Sequence, residues 1–305
     1  MLFIVQTALE LGFLYALVPM ALFLSYRVLD IADLTTDGCF VLGAAVSVVM
    51  TAAGHPFLGI ICAMIAGALA GSVTAFLQTH LGVPSILAGI ITNTGLYTIN
   101  LMVMGWSANV SLLKTETIFS MFKSTGIAGS WHEVLLAAII TILAGILLLL
   151  FLRTRIGLSV RATGDNMDMV RASSINPAFT ITIGLMIANA MTGLSGAMVG
   201  QYQNTVDING GTGIVVIGLA CLIIGETVLG RRTIRKGVVA AVVGSIIYRL
   251  IYAIVLYTKV VPVQGLKLIT AIVVALAIAS PRIKEWIAFQ KKKNGFVKPT
   301  GKEEV

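Results

Sequence analysis

The sequence predicts an all-α protein that crosses a membrane many times, and three observations carry that reading. The chain is 57% hydrophobic, with a mean hydropathy of +0.97. Only 11% of its 305 residues are charged, against roughly 25% in soluble domains. Residues 38–113 contain no Asp, Glu, Lys or Arg, a stretch that water could not keep dissolved. Long apolar runs recur from end to end, so residues 1–305 are expected to form a single transmembrane unit.

A helix needs about 20 apolar residues to cross a bilayer. The first run, 2–26, has no basic residue at its start and is closed by Arg27. It reads as a retained span with its N-terminus outside, not as a cleaved leader. Further runs follow at 38–53, 57–78, 85–104, 134–152, 178–202, 213–229, 237–257 and 266–279. Nine spans are preferred, within a range of 8–10. With nine, the basic clusters at 153–171, 231–236 and 282–302 all fall on one side. Lys and Arg concentrate in cytoplasmic loops, so that side is the cytoplasm, 281–305 is a basic cytoplasmic tail, and the charge-balanced loop 107–132 lies outside. The same distribution explains the net charge of +8 and argues against nucleic acid as a partner.

Catalytic signatures are absent from the sequence. There is no nucleotide-binding P-loop, no HExxH and no GxSxG elbow. Cys39, Cys62 and Cys221 lie in apolar runs without metal or pairing spacing and read as small buried residues. His55, His80 and His132 stand alone near span ends. No catalytic residue, metal site or cofactor is therefore expected in this chain. If ATP drives its work, the ATPase is another polypeptide.

The second and seventh runs are short, and each follows an irregular polar stretch, 33–38 and 207–213. Non-helical backbone at membrane depth survives only when buried in protein or lining a cavity. Short, Gly-interrupted segments in matching places of two halves point to an inverted repeat with the pathway between the halves. The alternative is two ordinary loops beside short helices. Small residues at 66–71 and at Gly193, Gly196 and Gly200 predict close helix packing.

Polar groups inside the membrane mark pathways by default. Asn93, Tyr97 and Asn100 recur at three-to-four-residue spacing and share one helix face. That face can line a conduit for an uncharged or zwitterionic solute, or bond neighbouring helices. Asn189 is a further candidate, and Glu10, Glu226 and Arg249 are the charged ones. A Glu226–Arg249 pair is disfavoured. At 1.5 Å per residue their depths differ by roughly 14 Å, so Arg249 is expected to face the bundle interior or an outer cavity.

Residues 153–177 form a polar island between two apolar runs, with four arginines and two aspartates. Gly164 reads as a break. Asp165 or Asn166 can cap a new helix, and Pro177 keeps Asn176 out of one. A helix over 166–174 follows, with Met167, Val170 and Ser174 on one side. A helix so short is marginal alone in water and needs a partner surface, unless the island is simply a solvated connector.

These residues also carry a resemblance. Gly157-Leu158-Ser159-Val160-Arg161-Ala162-Thr163-Gly164-Asp165-Asn166, followed by Ala172, Ile175 and Asn176, resembles the cytoplasmic loop of ABC importer permeases of the branched-chain amino acid and ribose type. One subgroup, associated with tryptophan/tyrosine-type binding proteins, is matched further. Its motifs appear as Val28-Leu29-Asp30 with Asp33-Leu34-Thr35-Thr36-Asp37-Gly38, as Pro84-Ser85-Ile86-Leu87-Ala88-Gly89-Ile90, and as Ile217-Gly218-Leu219-Ala220 with Ile224-Gly225-Glu226. Thr36 and Cys39 depart from its Val-Asp-Gly-Ser-like pattern. The matched motifs run from about residue 12 to 280.

The resemblance implies a type II importer fold in a bacterial inner membrane and a homodimer of permease copies. It also implies two cytoplasmic ATPases holding ATP and Mg, and an extracytoplasmic binding protein. Its coupling helix maps onto Gly164, Asp165, Asn166, Asp168, Met169, Val170, Arg171 and Ser174. The implied substrate is a tryptophan- or tyrosine-like amino acid. Branched-chain amino acids, sugars and nucleosides are the alternatives. An ion-coupled secondary transporter and a non-transporting scaffold compete with the importer reading, but the scarcity of membrane carboxylates argues against proton coupling.

Overall fold

The computed structural model describes residues 2–112, 115–124, 126, 129–230 and 233–258, together with 271, 272, 275 and 279. The expected ninth span at 266–279 falls mostly outside the described residues, as do Arg231, Arg232 and the 281–305 tail. The other eight expected spans are all helices. Six are long and apolar enough to cross a membrane, and Thr36–Ala52 and Ile214–Leu229 are shorter apolar helices.

In chain order the helices are α1 (Leu2–Leu22), α2 (Thr36–Ala52), α3 (Pro56–Thr79), α4 (Ser85–Val103), α5 (Ile118–Ser124), α6 (His132–Phe151), α7 (Arg155–Asp165), α8 (Met167–Ala172), α9 (Pro177–Gln203), α10 (Ile214–Leu229) and α11 (Ile234–Thr258). A π-helical turn, Phe23–Val28, widens the end of α1. The three-residue strands β1 (Asn109–Ser111) and β2 (Thr205–Asp207) pair antiparallel, Val110 opposite Val206. They tie the outer loop to the turn between α9 and α10. That loop is not wholly irregular: Ile118 and Phe119 of α5 are buried, because even outside the membrane an apolar pair gains by leaving water.

α1 and α9 form the buried centre, with Leu14, Leu17, Leu22, Leu185 and Met198 fully enclosed. α3, α4, α6 and α11 surround them and turn apolar side chains such as Ile61, Leu69, Ile142, Leu147 and Ile254 outward. In a bilayer those faces meet lipid.

Packing follows a symmetric pattern. α3 lies on α9 as α11 lies on α1; α2 packs on α3 and α9 as α10 packs on α11 and α1. Exchanging α1, α2, α3 with α9, α10, α11 therefore reproduces the contacts. α1 ends, and α9 begins, at the side of the 153–177 island, so the two units run in opposite senses, as in an inverted repeat. Small residues make these seams. A side chain on Gly67 or Gly71 of α3 would collide with the Asn189 or Leu185 carbonyl of α9, and one on Gly225 of α10 with the Ala240 carbonyl of α11.

The island itself differs from expectation. It holds two helices, because Thr154 caps an unforeseen one by accepting a hydrogen bond from Gly157 N at 3.1 Å. Gly164 does not break it. Gly164 lies inside α7, where a Cβ would strike the Val28 carbonyl. The second helix is shorter than 166–174 and spans Met167–Ala172. Of Met167, Val170 and Ser174, only Val170 is buried, at 1% exposure. Ser174 has left the helix with φ +58°.

Candidate functional site

Two polar regions stand out in this apolar bundle, one deep within it and one at the end that carries the 153–177 island.

At depth, the irregular stretches 33–38 and 207–213 meet. Asp37, in the first turn of α2, accepts hydrogen bonds from Gly213 N at 3.0 Å and Val215 N at 2.8 Å. It thereby caps the α10 N-terminus, whose N–H groups lack intrahelical partners and whose dipole favours a negative charge. Asp33 is also buried. It accepts from Thr35 N at 2.9 Å and from Asn189 Nδ2 at 2.6 Å. Thr35 and Thr74 share a hydroxyl contact of 2.8 Å. Protein groups thus satisfy this non-helical backbone, as its depth requires.

Beside the junction opens a cavity of about 320 Å³ lined by Asp37, Gly38, Asn93, Thr94, Tyr97, Asn100, Asn209 and Thr212. The α4 face anticipated from spacing is therefore assembled. Asn100 donates to the Gly38 carbonyl at 3.2 Å, while its Oδ1 has no partner among the described residues. Tyr97 is half exposed toward the cavity. Asn189 does not join this wall. It is buried and clamps Asp33 from α9.

The charged candidates lie elsewhere. Arg249 sits over the Tyr15 ring at 3.7 Å, in the bundle interior. Glu226, in the last turn of α10, is gripped by Arg27, which donates through Nε at 2.9 Å and Nη2 at 2.7 Å. Sequence reasoning missed Arg27 as the partner of Glu226, although Arg27 closes its own apolar run as Glu226 stands near the end of another. Glu10 accepts from Tyr202 Oη at 2.7 Å and Gln6 Nε2 at 3.0 Å. Gln201 was missed as well. It joins Ser47 Oγ at 2.9 Å, the Pro56 carbonyl at 3.0 Å and Ile118 N at 3.1 Å. No periodic signal marks a single glutamine of this kind.

At the island, Asn166 caps α8 by accepting from Met169 N at 3.0 Å. Val170 anchors the helix inward, and Ile175 N returns to the Val170 carbonyl at 3.2 Å. Met169, Asp168 and Arg171 point away from the bundle, with Asp168 94% exposed. The segment is tied to the bundle behind it. Thr163 meets Thr180 at 2.7 Å, and Gly164 rests on Val28, one residue from Arg27. Asp165 lines a cavity of about 260 Å³ together with Arg27, Arg161 and Glu226. Contacts thus run from the 153–177 island through Gly164 and Val28 to the neighbourhood of the Arg27–Glu226 pair on α10.

Known proteins are similar to this chain in sequence and in fold. The family model described as branched-chain amino acid transport system / permease component matches residues 4–279. A tyrosine transport system permease protein of Clostridioides difficile is 32% identical over 266 residues, 87% of each chain. An uncharacterized protein of Rickettsia prowazekii is 31% identical over 281 residues, 91% of this chain and 97% of its own. A fructose import permease protein of Bifidobacterium longum is 23% identical over 260 residues, 84% of this chain and 71% of its own. Among solved structures, a metal-chelate type ABC transporter in an inward-facing conformation superposes with a TM-score of 0.51 at 14% identity, covering 92% of this chain and 85% of that one. That likeness concerns the fold alone. Permeases of this kind are transmembrane subunits that work with ATPase and substrate-binding partners. The chain belongs to the branched-chain amino acid transport permease family: it is the permease component of an ABC transporter, a multi-pass inner-membrane protein with the type II permease fold.

Proposed function

We propose that this permease imports an aromatic amino acid, tyrosine- or tryptophan-like, delivered by an extracytoplasmic binding protein. The observation that carries the substrate is the 32% identity to the tyrosine transport permease, sustained over 87% of both chains. The cavity beside Asp37 supports it. Asn93, Asn100, Asn209 and Thr212 offer donors and acceptors, and Tyr97 offers a ring that can stack on an aromatic solute. The working unit is two permease copies with two cytoplasmic ATPases, which hold ATP and Mg. This chain contributes no catalytic residue.

The coupling segment is Gly164, Asp165, Asn166, Asp168, Met169, Val170, Arg171 and Ser174. Its exposed ridge seats in an ATPase groove, and ATPase closure pushes α8. The push passes through Gly164 and Val28 to the Arg27–Glu226 pair, then along α10 to its N-terminus at Asp37. The α2–α10 junction opens or closes the polar cavity accordingly.

The test is uptake by the complete complex in proteoliposomes with ATP inside. Labelled tyrosine and tryptophan accumulate, and leucine and fructose do not. Accumulation of leucine or fructose alone would overturn the substrate assignment. Uptake by the permease alone, indifferent to ATP, would overturn the importer reading in favour of an ion-coupled transporter.

A further inference from the structure

Where α6 ends and α11 begins, a cavity of about 450 Å³ opens at the cytoplasmic membrane surface. Leu149, Leu152 and Ile234 line it, and Arg153, Arg161 and Arg235 share its wall. Its depth is set by the helices. Leu149 belongs to the last turn of a 20-residue apolar span and Ile234 is the first residue of another, so the cavity straddles the boundary between hydrocarbon and headgroups.

Below it α6 touches α11 at Gly145, which faces Val238, with Met20 of α1 beside them. The flanking Ile146, Leu150 and Val239 are each about half exposed, at 48%, 54% and 49%. An apolar seam thus descends into the membrane from a cationic mouth. Among the described residues, none of the three arginines makes an ion pair. Two carboxylates lie in the adjoining cavity, which Arg161 also lines. They are Glu226, taken by Arg27, and Asp165.

Guanidinium groups match phosphate oxygens in two-point, charge-assisted contacts. Basic pockets between helices on the cytoplasmic side suit anionic headgroups. We propose that this cavity binds an anionic phospholipid of the cytoplasmic leaflet, of the phosphatidylglycerol or cardiolipin type. Its phosphate lies against Arg153, Arg161 and Arg235, and its acyl chains lie along the α6–α11 seam. A zwitterionic lipid carries its own cation and gains less from three arginines. A free phosphate leaves the apolar floor and seam unused.

The test uses the full permease–ATPase complex in nanodiscs of phosphatidylcholine, titrated with phosphatidylglycerol. Thermal stability and lipid retained in native mass spectrometry are the readouts. Phosphatidylglycerol raises the melting temperature and is retained, while added phosphatidylcholine or inorganic phosphate does neither. Combining Arg153→Gln, Arg161→Gln and Arg235→Gln weakens half-saturation at least about tenfold, equivalent to about 1.4 kcal/mol. Arg155→Gln and Lys236→Gln remove like charges outside the cavity and leave binding in place. Arg235→Gln alone, at an exposed first-turn position, weakens binding severalfold should the triple variant fold poorly.

An equal response to phosphatidylcholine, or controls as damaging as the triple variant, would overturn the site. An equal response to inorganic phosphate would make it a free-anion site. Loss of the ATPase in both lipids, with the lipid response intact, would assign the arginines to the ATPase seat and also sink the proposal.

Discussion

Glu226 and Arg27 show how a charged residue survives here. The Glu226 side chain is 3% exposed and that of Arg27 29% exposed, so the carboxylate depends on its partner while the guanidinium keeps partial contact with water. Breaking a buried pair from one side leaves an uncompensated charge, which costs about 3–5 kcal/mol when both are dry. Glu226→Gln is therefore expected to cost about 1–3 kcal/mol, discounted for the exposure of Arg27, read as a fall in melting temperature. Arg27→Met combined with Glu226→Leu should recover much of it, since well-packed apolar replacements of buried pairs are often neutral. A double variant worse than the single one would refute the pairing argument. Asp37 is a second test at this scale. Asp37→Ala removes the α10 cap and should cost about 1–2 kcal/mol, and Asp37→Asn less, because its amide oxygen still accepts a hydrogen bond. Equal losses would show that charge, not capping, dominates.

Among the elements, α8 is too short to hold itself. Six residues close few intrahelical hydrogen bonds, and helix nucleation is unfavourable. Its stability comes from the Asn166 cap, the Val170 anchor and the αL turn at Ser174. Asp168 and Arg171 contribute little to the fold, since their contact is 3.9 Å between exposed side chains. Asp168→Lys with Arg171→Glu should shift stability by less than about 0.5 kcal/mol yet abolish substrate-stimulated ATP hydrolysis in the complex. Full stimulation in that variant would remove α8 from the coupling role. The stop of this helix was not legible in the sequence, since it ends at Ala172 and Pro177 instead opens α9; its cap was, because Asn166 acts through local backbone geometry. α7 was not. Its glycine suggested a break, whereas the need for that glycine arises from Val28, far away in the chain.

For the whole molecule, two opposed three-helix units interlock through small residues. A lipid-exposed bundle gains little from burying apolar area, because lipid is as apolar as a core, so close backbone approach and packing carry the association. Gly67→Leu would drive a side chain into the Asn189 carbonyl. It should cost more than about 3 kcal/mol by overpacking, seen as loss of folded protein in detergent, whereas Gly95→Leu, with open space around its Cβ position, should be tolerated. Equal tolerance at both would deny the α3–α9 seam its role. The sequence by itself determined the eight described apolar helices and the two short polar junctions. Each of these follows from how single residues partition between water and lipid. Tertiary structure alone decided that Asp37 caps α10, that Asn189 holds Asp33 instead of facing the cavity, and that Glu226 takes Arg27. Those outcomes depend on how each helix is rotated about its axis and which neighbour it meets, and hydropathy, being a property of one segment at a time, carries neither quantity.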